Sequence, residues 1–359
     1  MKKRKLKIFV IIFILTIFLY FIYNLISGII YKNKMKGISQ YTSNQMIDYT
    51  LNNNENAVIS VAIYDENGIT YNVYGADYNL NYDYEIGSIT KTFTAMLLSK
   101  AIEEGRINLD DSISNYLELK NRYYPTIERI ITHTSGLKPY YLSFQKIKNY
   151  FTVGNDFYNI SKEQLLKELN KTKLEDKDYN FNYSNFGVSA LGLVLEKVYD
   201  KNYNELLEEY LQQLDMNNTT IATGTGNLSG YWKWNENDGY IPSGAIISNI
   251  EDMSKYLETL ITSDENYLIN VAEPLKDINV KSEIYNMFDV NIDNVGMTWM
   301  IDNKNNIIWH NGSTTNFNSY IGFNREKKIG VVVLSNISPQ KDINMTLIGN
   351  KIMLEQLDK

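Results

Sequence analysis

Strand-like patterns lie at the two ends of this chain and helix-like patterns fill its middle, so any sheet must join segments far apart in sequence. At the amino-terminal side, Ala57 to Tyr64 alternates and is rich in β-branched residues. Asp65-Glu66-Asn67-Gly68 reads as a hairpin turn, and Ile69 to Gly75 as its return strand. Toward the carboxyl end, Gly296 to Ile301, Ile307 to His310, Ser319 to Phe323 and Ile329 to Ser335 read as further strands. Asp302 to Asn306 and Asn324 to Lys328 supply turns between them. From about residue 88 to about residue 287 the apolar spacing is helical, over Lys162 to Leu169, Gly187 to Tyr199, Tyr203 to Leu214 and Ile250 to Ile261. A last amphipathic helix is predicted over Asp342 to Leu357. The expected fold class is α+β: an antiparallel sheet from about 57–75 and 296–336, flanked by helices, with an inserted helical lobe over about 88–287 and a cleft where they meet.

Residues 1–36 read as a separate unit. Ile8 to Tyr31 carries no charge over 24 positions, long enough to cross a bilayer as a helix. Lys2, Lys3, Arg4, Lys5 and Lys7 precede it, which predicts a cytoplasmic tail and an extracytoplasmic domain over 37–359. No Ala-x-Ala-like site follows the run and no cysteine is present for lipid attachment, so it reads as an uncleaved single-pass anchor in the cell membrane rather than a signal peptide.

Charge and composition exclude several function classes. The first 36 residues hold 8 of the 35 Lys and Arg and none of the 42 acids, leaving 27 basic against 42 acidic residues and a net charge of −15. Such a surface repels a polyanionic backbone, so nucleic acid is not an expected partner. Zero cysteines exclude disulfides, cysteine-zinc sites and a thiol nucleophile, and two histidines exclude a three-nitrogen zinc site.

Three short motifs, in order, carry chemistry: Ser88-Ile89-Thr90-Lys91, Tyr183-Ser184-Asn185 and His310-Asn311-Gly312. The Ser-x-x-Lys pattern recurs at Ser135, Ser143 and Ser338, so context decides. Ser135 is followed by Gly136 and Pro139, and Ser338 by Pro339, which break a helix. Ser143 has no strand before it and reads as part of a solvated stretch. Ser88 follows a predicted hairpin, has Gly87 for a tight turn, and opens a segment with Phe93, Met96, Leu97 and Ala101 at helical spacing. A hydroxyl at a helix amino end gains from the backbone dipole, and Lys91, three residues on, shares its face. An ammonium in a partly desolvated cleft tends to lose its proton, and the neutral amine is a base. Alternate residues of the Phe181 to Asn185 loop can point the same way, which lets the Tyr183 phenol and the Asn185 amide face one cleft. His133, two residues from Ser135 and with no neighbouring acid, reads as structural.

These motifs, with Ile131-Thr132-His133-Thr134-Ser135-Gly136-Leu137, Pro242-Ser243-Gly244-Ala245-Ile246-Ile247-Ser248 and Lys328 to Asn336, resemble the serine β-lactamase and penicillin-binding-protein superfamily. The similarity is to the class C β-lactamase-like branch that also holds esterases, D,D-peptidases and D-aminopeptidases, and it runs from about Ala57 to the carboxyl end. The resemblance implies Ser88, Lys91 and Tyr183 as catalytic residues, Tyr183 shuttling a proton between Ser88 and the leaving group. It implies Asn185, His310, Asn311 and Gly312 as substrate contacts, with the backbone N–H groups of Ser88 and Ser313 as the oxyanion hole. The chain departs from the β-lactamase pattern where Lys-Thr-Gly is usual, since His310 is charged only around or below about pH 6.5. Carboxylate capture is expected to be weaker, which moves the expectation toward esters or D-amino-acid peptides.

The function expected from these readings is a membrane-anchored serine hydrolase working through an acyl-Ser88 intermediate on cell-envelope substrates, either peptidoglycan peptides or D-alanyl esters. It needs no metal or organic cofactor. Two alternatives stay open: a penicillin-binding or sensor protein that does not turn over, and a true β-lactamase.

Overall fold

A computed structural model of the chain describes residues 2–152, 154–340 and 343–359. Eleven strands occur among them: β1 Ile59–Asp65, β2 Gly68–Tyr74, β3 Tyr84–Glu85, β4 Thr220–Ile221, β5 Ile246–Ser248, β6 Lys276–Val280, β7 Ile292–Val295, β8 Met300–Asp302, β9 Ile307–Ser313, β10 Asn318–Asn324 and β11 Ile329–Ser335. Eight form one antiparallel sheet in the order β2-β1-β11-β10-β9-β8-β7-β6. The two ends of the chain meet at its centre, where β1 pairs with β11 from Ile59 opposite Ser335 to Tyr64 opposite Gly330.

Both faces of this sheet are covered, and alternation along the strands feeds two cores. Ala62, Ile321, Phe323, Val332 and Leu334 join the core shared with the helical lobe. Ile59, Val61, Tyr320, Val331 and Val333 join the opposite core, under the carboxy-terminal helix Met345–Leu357. The predicted start of that helix at Asp342 lies outside the described residues, and Asn344 caps it by accepting from Leu347 N.

The sheet reaches further back than the sequence indicated. Strand β6 lies at residues 276–280 and β7 at 292–295, so the stretch up to about residue 287, where helical patterns were expected to dominate, already contains a sheet edge. Strand β6 at the sheet edge and β7 beside it are short and rich in Asp, Asn and Lys, so they lack the apolar alternation that marks a strand. The expected strand from Gly296 is instead a turn closed by Gly296 N donating to Trp299 O, with Thr298 at φ 66°, before β8. The segment after Ser143 folds as a helix, Phe144–Thr152, where a solvated stretch was expected.

A small second sheet, β3-β5-β4, lies inside the lobe. It delivers the chain into the turn Gly87–Ile89 and then the helix Thr90–Glu103, which is buried on nearly all sides. At the other side of the cleft, buried Asn318 joins the end of β9 to the carboxy-terminal helix. Its Nδ2 donates to Gly312 O at 2.7 Å and its Oδ1 accepts from Met345 N at 2.5 Å. Replacing it by Leu leaves a buried carbonyl and a buried N–H unpaired, with an expected loss of about 2–5 kcal/mol in chemical denaturation. A loss below about 1 kcal/mol would show that these two bonds do not hold β9 to the helix.

Candidate active site

The nucleophile turn rests directly on the edge of β9. A Cβ on Gly312 would fall 1.8 Å from Ile86 O, and one on Gly87, at φ 51°, would fall 2.5 Å from Ser313 N. Only glycine at both positions lets the two backbones come this close. Ser319 Oγ on β10 donates to Ile86 O at 2.9 Å, and Ile86 N donates to Ile246 O of β5 at 3.0 Å. The turn is thereby fixed from both sheets.

Ser88 lies in this turn, one step before the helix proper, and is half-buried. Lys91 sits on the first turn of the helix with no exposed surface, its Nζ 3.0 Å from Ser88 Oγ and 2.5 Å from the carbonyl oxygen of Ser243. Among the described residues no carboxylate pairs with it, and burial holds its pKa well below the ordinary lysine value. Burial thus penalises the ammonium form and eases release of its proton beside the Ser88 hydroxyl.

Tyr183 comes from the loop before the helix Asn185–Tyr199, and that loop is mounted on the turn containing His133. Asn182 N donates to His133 O at 2.8 Å, Ser184 N to His133 Nδ1 at 3.2 Å, and Ser184 Oγ to Lys138 O at 2.6 Å. Ser184 also caps the following helix by accepting from Gly187 N. Lys91 Nζ lies 4.9 Å from the Tyr183 ring centre, and the His133 ring centre lies 4.5 Å from it. The Tyr183 Oη is buried without a partner in hydrogen-bonding geometry. Burial pushes the phenol well above its ordinary pKa, and the nearby Ser88 hydroxyl offsets part of that.

Ser88, Tyr183, Asn311, Gly312 and Ser313 line one cavity of about 260 Å³, walled on the other side by Phe181, Tyr285, Ile292, Met300 and Trp309. Larger hollows lie elsewhere, one of about 500 Å³ near Asn204 and Trp234 and one of about 680 Å³ near Arg122 and Glu175, but neither contains a nucleophile beside a base. Chemistry rather than size marks the site.

Two expected substrate contacts are arranged differently from the expectation. His310 is buried and does not line the cavity, because alternation along β9 turns its side chain away from the face that Trp309 and Asn311 present. Its Nδ1 is 2.6 Å from Asn311 O, its Nε2 has no partner, and its ring centre is 6.2 Å from that of Tyr183. Burial, reinforced by Lys91, lowers its pKa to about 3, so the imidazole is neutral at physiological pH. Asn185 occupies the first position of its helix, half-buried and outside the cavity lining. Asn311 lines the cavity while its Nδ2 donates to Thr346 Oγ1 at 2.8 Å, which ties β9 to the carboxy-terminal helix.

Three contributors act in ways that the sequence motifs did not specify. The Ser243 carbonyl is the second partner of Lys91, and a backbone group has no sequence signature. His133 mounts the Tyr183 loop from φ 60°, a conformation that its position just after the helix Ile127–Ile131 could have hinted at. Glu85, three residues before Ser88 and 2% exposed, accepts from Thr314 Oγ1 at 2.6 Å and from Trp232 N. Burial pushes this carboxyl up to about 7, against both hydrogen bonds.

The comparisons agree with this architecture. A family model for beta-lactamase matches residues 44–347, and the chain belongs to that family. Protein flp of Staphylococcus aureus strain MW2 is 26% identical over 294 residues, covering 75% of this chain and 57% of that protein. The chain thus spans somewhat over half the length of this curated relative. Among solved structures, the octameric penicillin-binding protein homologue from Pyrococcus abyssi superposes with TM-score 0.73 at 23% identity, over 88% of this chain and 77% of that one. A beta-lactamase/D-alanine carboxypeptidase from Yersinia pestis gives TM-score 0.70 at 18% identity, over 88% and 99%. At these identities the structural likenesses establish the β-lactamase fold.

An uncharged Lys91 as base fixes the direction of the pH response. Acylation by an activated ester should fall as pH drops through the lowered lysine pKa, because protonation removes the lone pair. Lys91→Ala should reduce the acylation rate by roughly 10²–10⁴-fold and abolish that acid limb. An unchanged limb in stopped-flow measurements would assign it to another group.

Proposed function

We propose that the protein is a membrane-anchored serine hydrolase that forms an acyl-Ser88 intermediate on D-amino-acid esters or peptides of the cell envelope. The observation that carries this reading is the desolvated Lys91, without a carboxylate partner among the described residues, 3.0 Å from the Ser88 hydroxyl. A surface lysine would be charged and could not accept a proton; this one can.

In the first half-reaction Ser88 Oγ bonds the substrate carbonyl carbon while its proton passes to Lys91 Nζ. The carbonyl oxygen becomes anionic and is held by the N–H groups of Ser88 and Ser313, which border the same cavity. The tetrahedral species collapses with cleavage of the bond to the alcohol or amine, which leaves with a proton relayed through the Tyr183 phenol. Tyr183 suits a relay because its raised pKa keeps the proton on oxygen until a stronger base forms beside it. Water then repeats the sequence on the acyl-enzyme and frees Ser88. Asn311 and Gly312 offer the strand edge along which the substrate lies.

Among the described residues no cation lines this cavity, which favours substrates without a carboxylate beside the scissile bond. With His310 neutral and turned inward, an ester or an internal D-peptide meets no electrostatic preference against it. The Yersinia pestis neighbour, described as a beta-lactamase/D-alanine carboxypeptidase, supports the acyl-transfer class. The anchor is supported by the apolar helix Leu15–Ile38, whose most apolar stretch is exposed to its surroundings.

Incubating the protein with a nitrophenyl D-alanyl ester, a D-Ala-D-Ala peptide and a chromogenic cephalosporin tests this reading. The expected result is turnover of the ester or peptide with a transient mass adduct on Ser88, and loss of both in Ser88→Ala. A permanent adduct without turnover would favour a penicillin-binding sensor. Fast cephalosporin turnover would make it a β-lactamase, and no adduct with any substrate would remove the enzyme reading.

A further inference from the structure

The amino-terminal helix runs without interruption from Lys2 to Ile38, yet its two ends meet different surroundings. Large apolar side chains such as Phe18, Tyr20, Phe21 and Leu25 are exposed, whereas Met35 is fully buried and Ile38 nearly so. Those two side chains belong to the core beneath the sheet, with Met46, Ile47 and Phe288. Only Lys32-Asn33-Lys34 separate the last residue of the uncharged run, Tyr31, from Met35, about one helical turn beyond it. Lys32-Asn33-Lys34 hold no proline or glycine, and the helix continues through Gly37 to Ile38, so the chain enters the domain as helix rather than through a linker.

The place of entry is next to the cleft. Lys32 Nζ lies 2.9 Å from the carboxylate of Glu283, the first residue of the helix Glu283–Met287. Tyr285, two residues on, lines the cavity that holds Ser88. The ion pair is exposed and contributes little energy, but together with buried Met35 and Ile38 it records where the helix meets the domain.

We infer that the cleft opens at the membrane surface, within about 20 Å of the end of the apolar run by the reach of these few residues, and that its substrate is an acyl ester or D-peptide carried by a lipid-linked molecule. This rests on the proposed anchor and serine chemistry and deepens them: a domain held this way cannot sample substrates far out in the envelope. A flexible tether would sweep a wide shell, but a helix embedded at both ends presents the site at one height.

The chain has no cysteine, so Asn286→Cys in the full-length protein gives a single labelling position beside Tyr285. The label is read by energy transfer to an acceptor on lipid headgroups after reconstitution in vesicles. The comparison form carries a flexible Gly/Ser insert of about twenty residues between Tyr31 and Lys32, which lets the domain wander by about 25 Å. The uninserted chain should give strong transfer that the insert weakens. It should also cleave a D-alanyl ester attached directly to a phospholipid headgroup about tenfold faster than the same ester on a long poly(ethylene glycol) spacer, a preference the insert removes. Transfer as weak as in the inserted form, or a preference for the spacer-borne ester, would overturn the inference. Vesicle co-flotation reports the anchor separately, and soluble-ester turnover by both forms reports the serine chemistry. The transfer readout needs no turnover, so placement is tested even where catalysis fails.

Discussion

The site depends on one contact between two backbones: the turn Ile86-Gly87-Ser88 pressed against Gly312-Ser313 at the end of β9. No side chain fits between them, as the close approaches at Gly87 and Gly312 require. That contact sets Ser88 at the mouth of a cavity bordered by Ser313, so the two backbone N–H groups that could bind an oxyanion are fixed relative to one another before substrate arrives. Everything that stabilises either partner serves it indirectly. On one side are β5 through Ile86 and Thr90, on the other Asn318 and Ser319 of β10, and behind them the carboxy-terminal helix.

Around this frame the chemistry is governed by desolvation more than by charge pairing. Lys91 is buried with hydroxyl and carbonyl neighbours instead of a carboxylate, so the environment penalises its ammonium form. His310 and His133 are likewise buried and held neutral, in part by the proximity of Lys91. A charged imidazole in either position would raise the cost of protonating Lys91 further. Burial disfavours the ammonium of Lys91, and a charge there in turn disfavours a second one on either imidazole.

How legible this was in the sequence depended on whether a residue acts through its own periodicity or through tertiary surroundings. The central strands and the helices at residues 162, 187, 203 and 250 announced themselves by strong apolar spacing, as did the antiparallel sheet joined from both ends of the chain. Strands β6 and β7 did not, because both are short and rich in Asp and Asn, with too few apolar side chains to show a pattern. Ser88, Lys91 and Tyr183 were readable as a set of ordered motifs and converge in space. The inward orientation of His310 was not, since motif spacing carries no information on which face of a strand meets the cleft until the register is known. The Ser243 carbonyl and the backbone approach at Gly312 are properties of the assembled fold alone.

The central claim is that docking of the nucleophile turn on β9 presents two N–H groups to one carbonyl oxygen. The most direct measurement is a crystal structure of the acyl-Ser88 enzyme trapped with a slowly released acyl group. The account predicts the acyl carbonyl oxygen about 2.7–3.1 Å from both Ser88 N and Ser313 N. An oxygen turned toward solvent or toward Lys91, with either N–H bonded elsewhere, would contradict it.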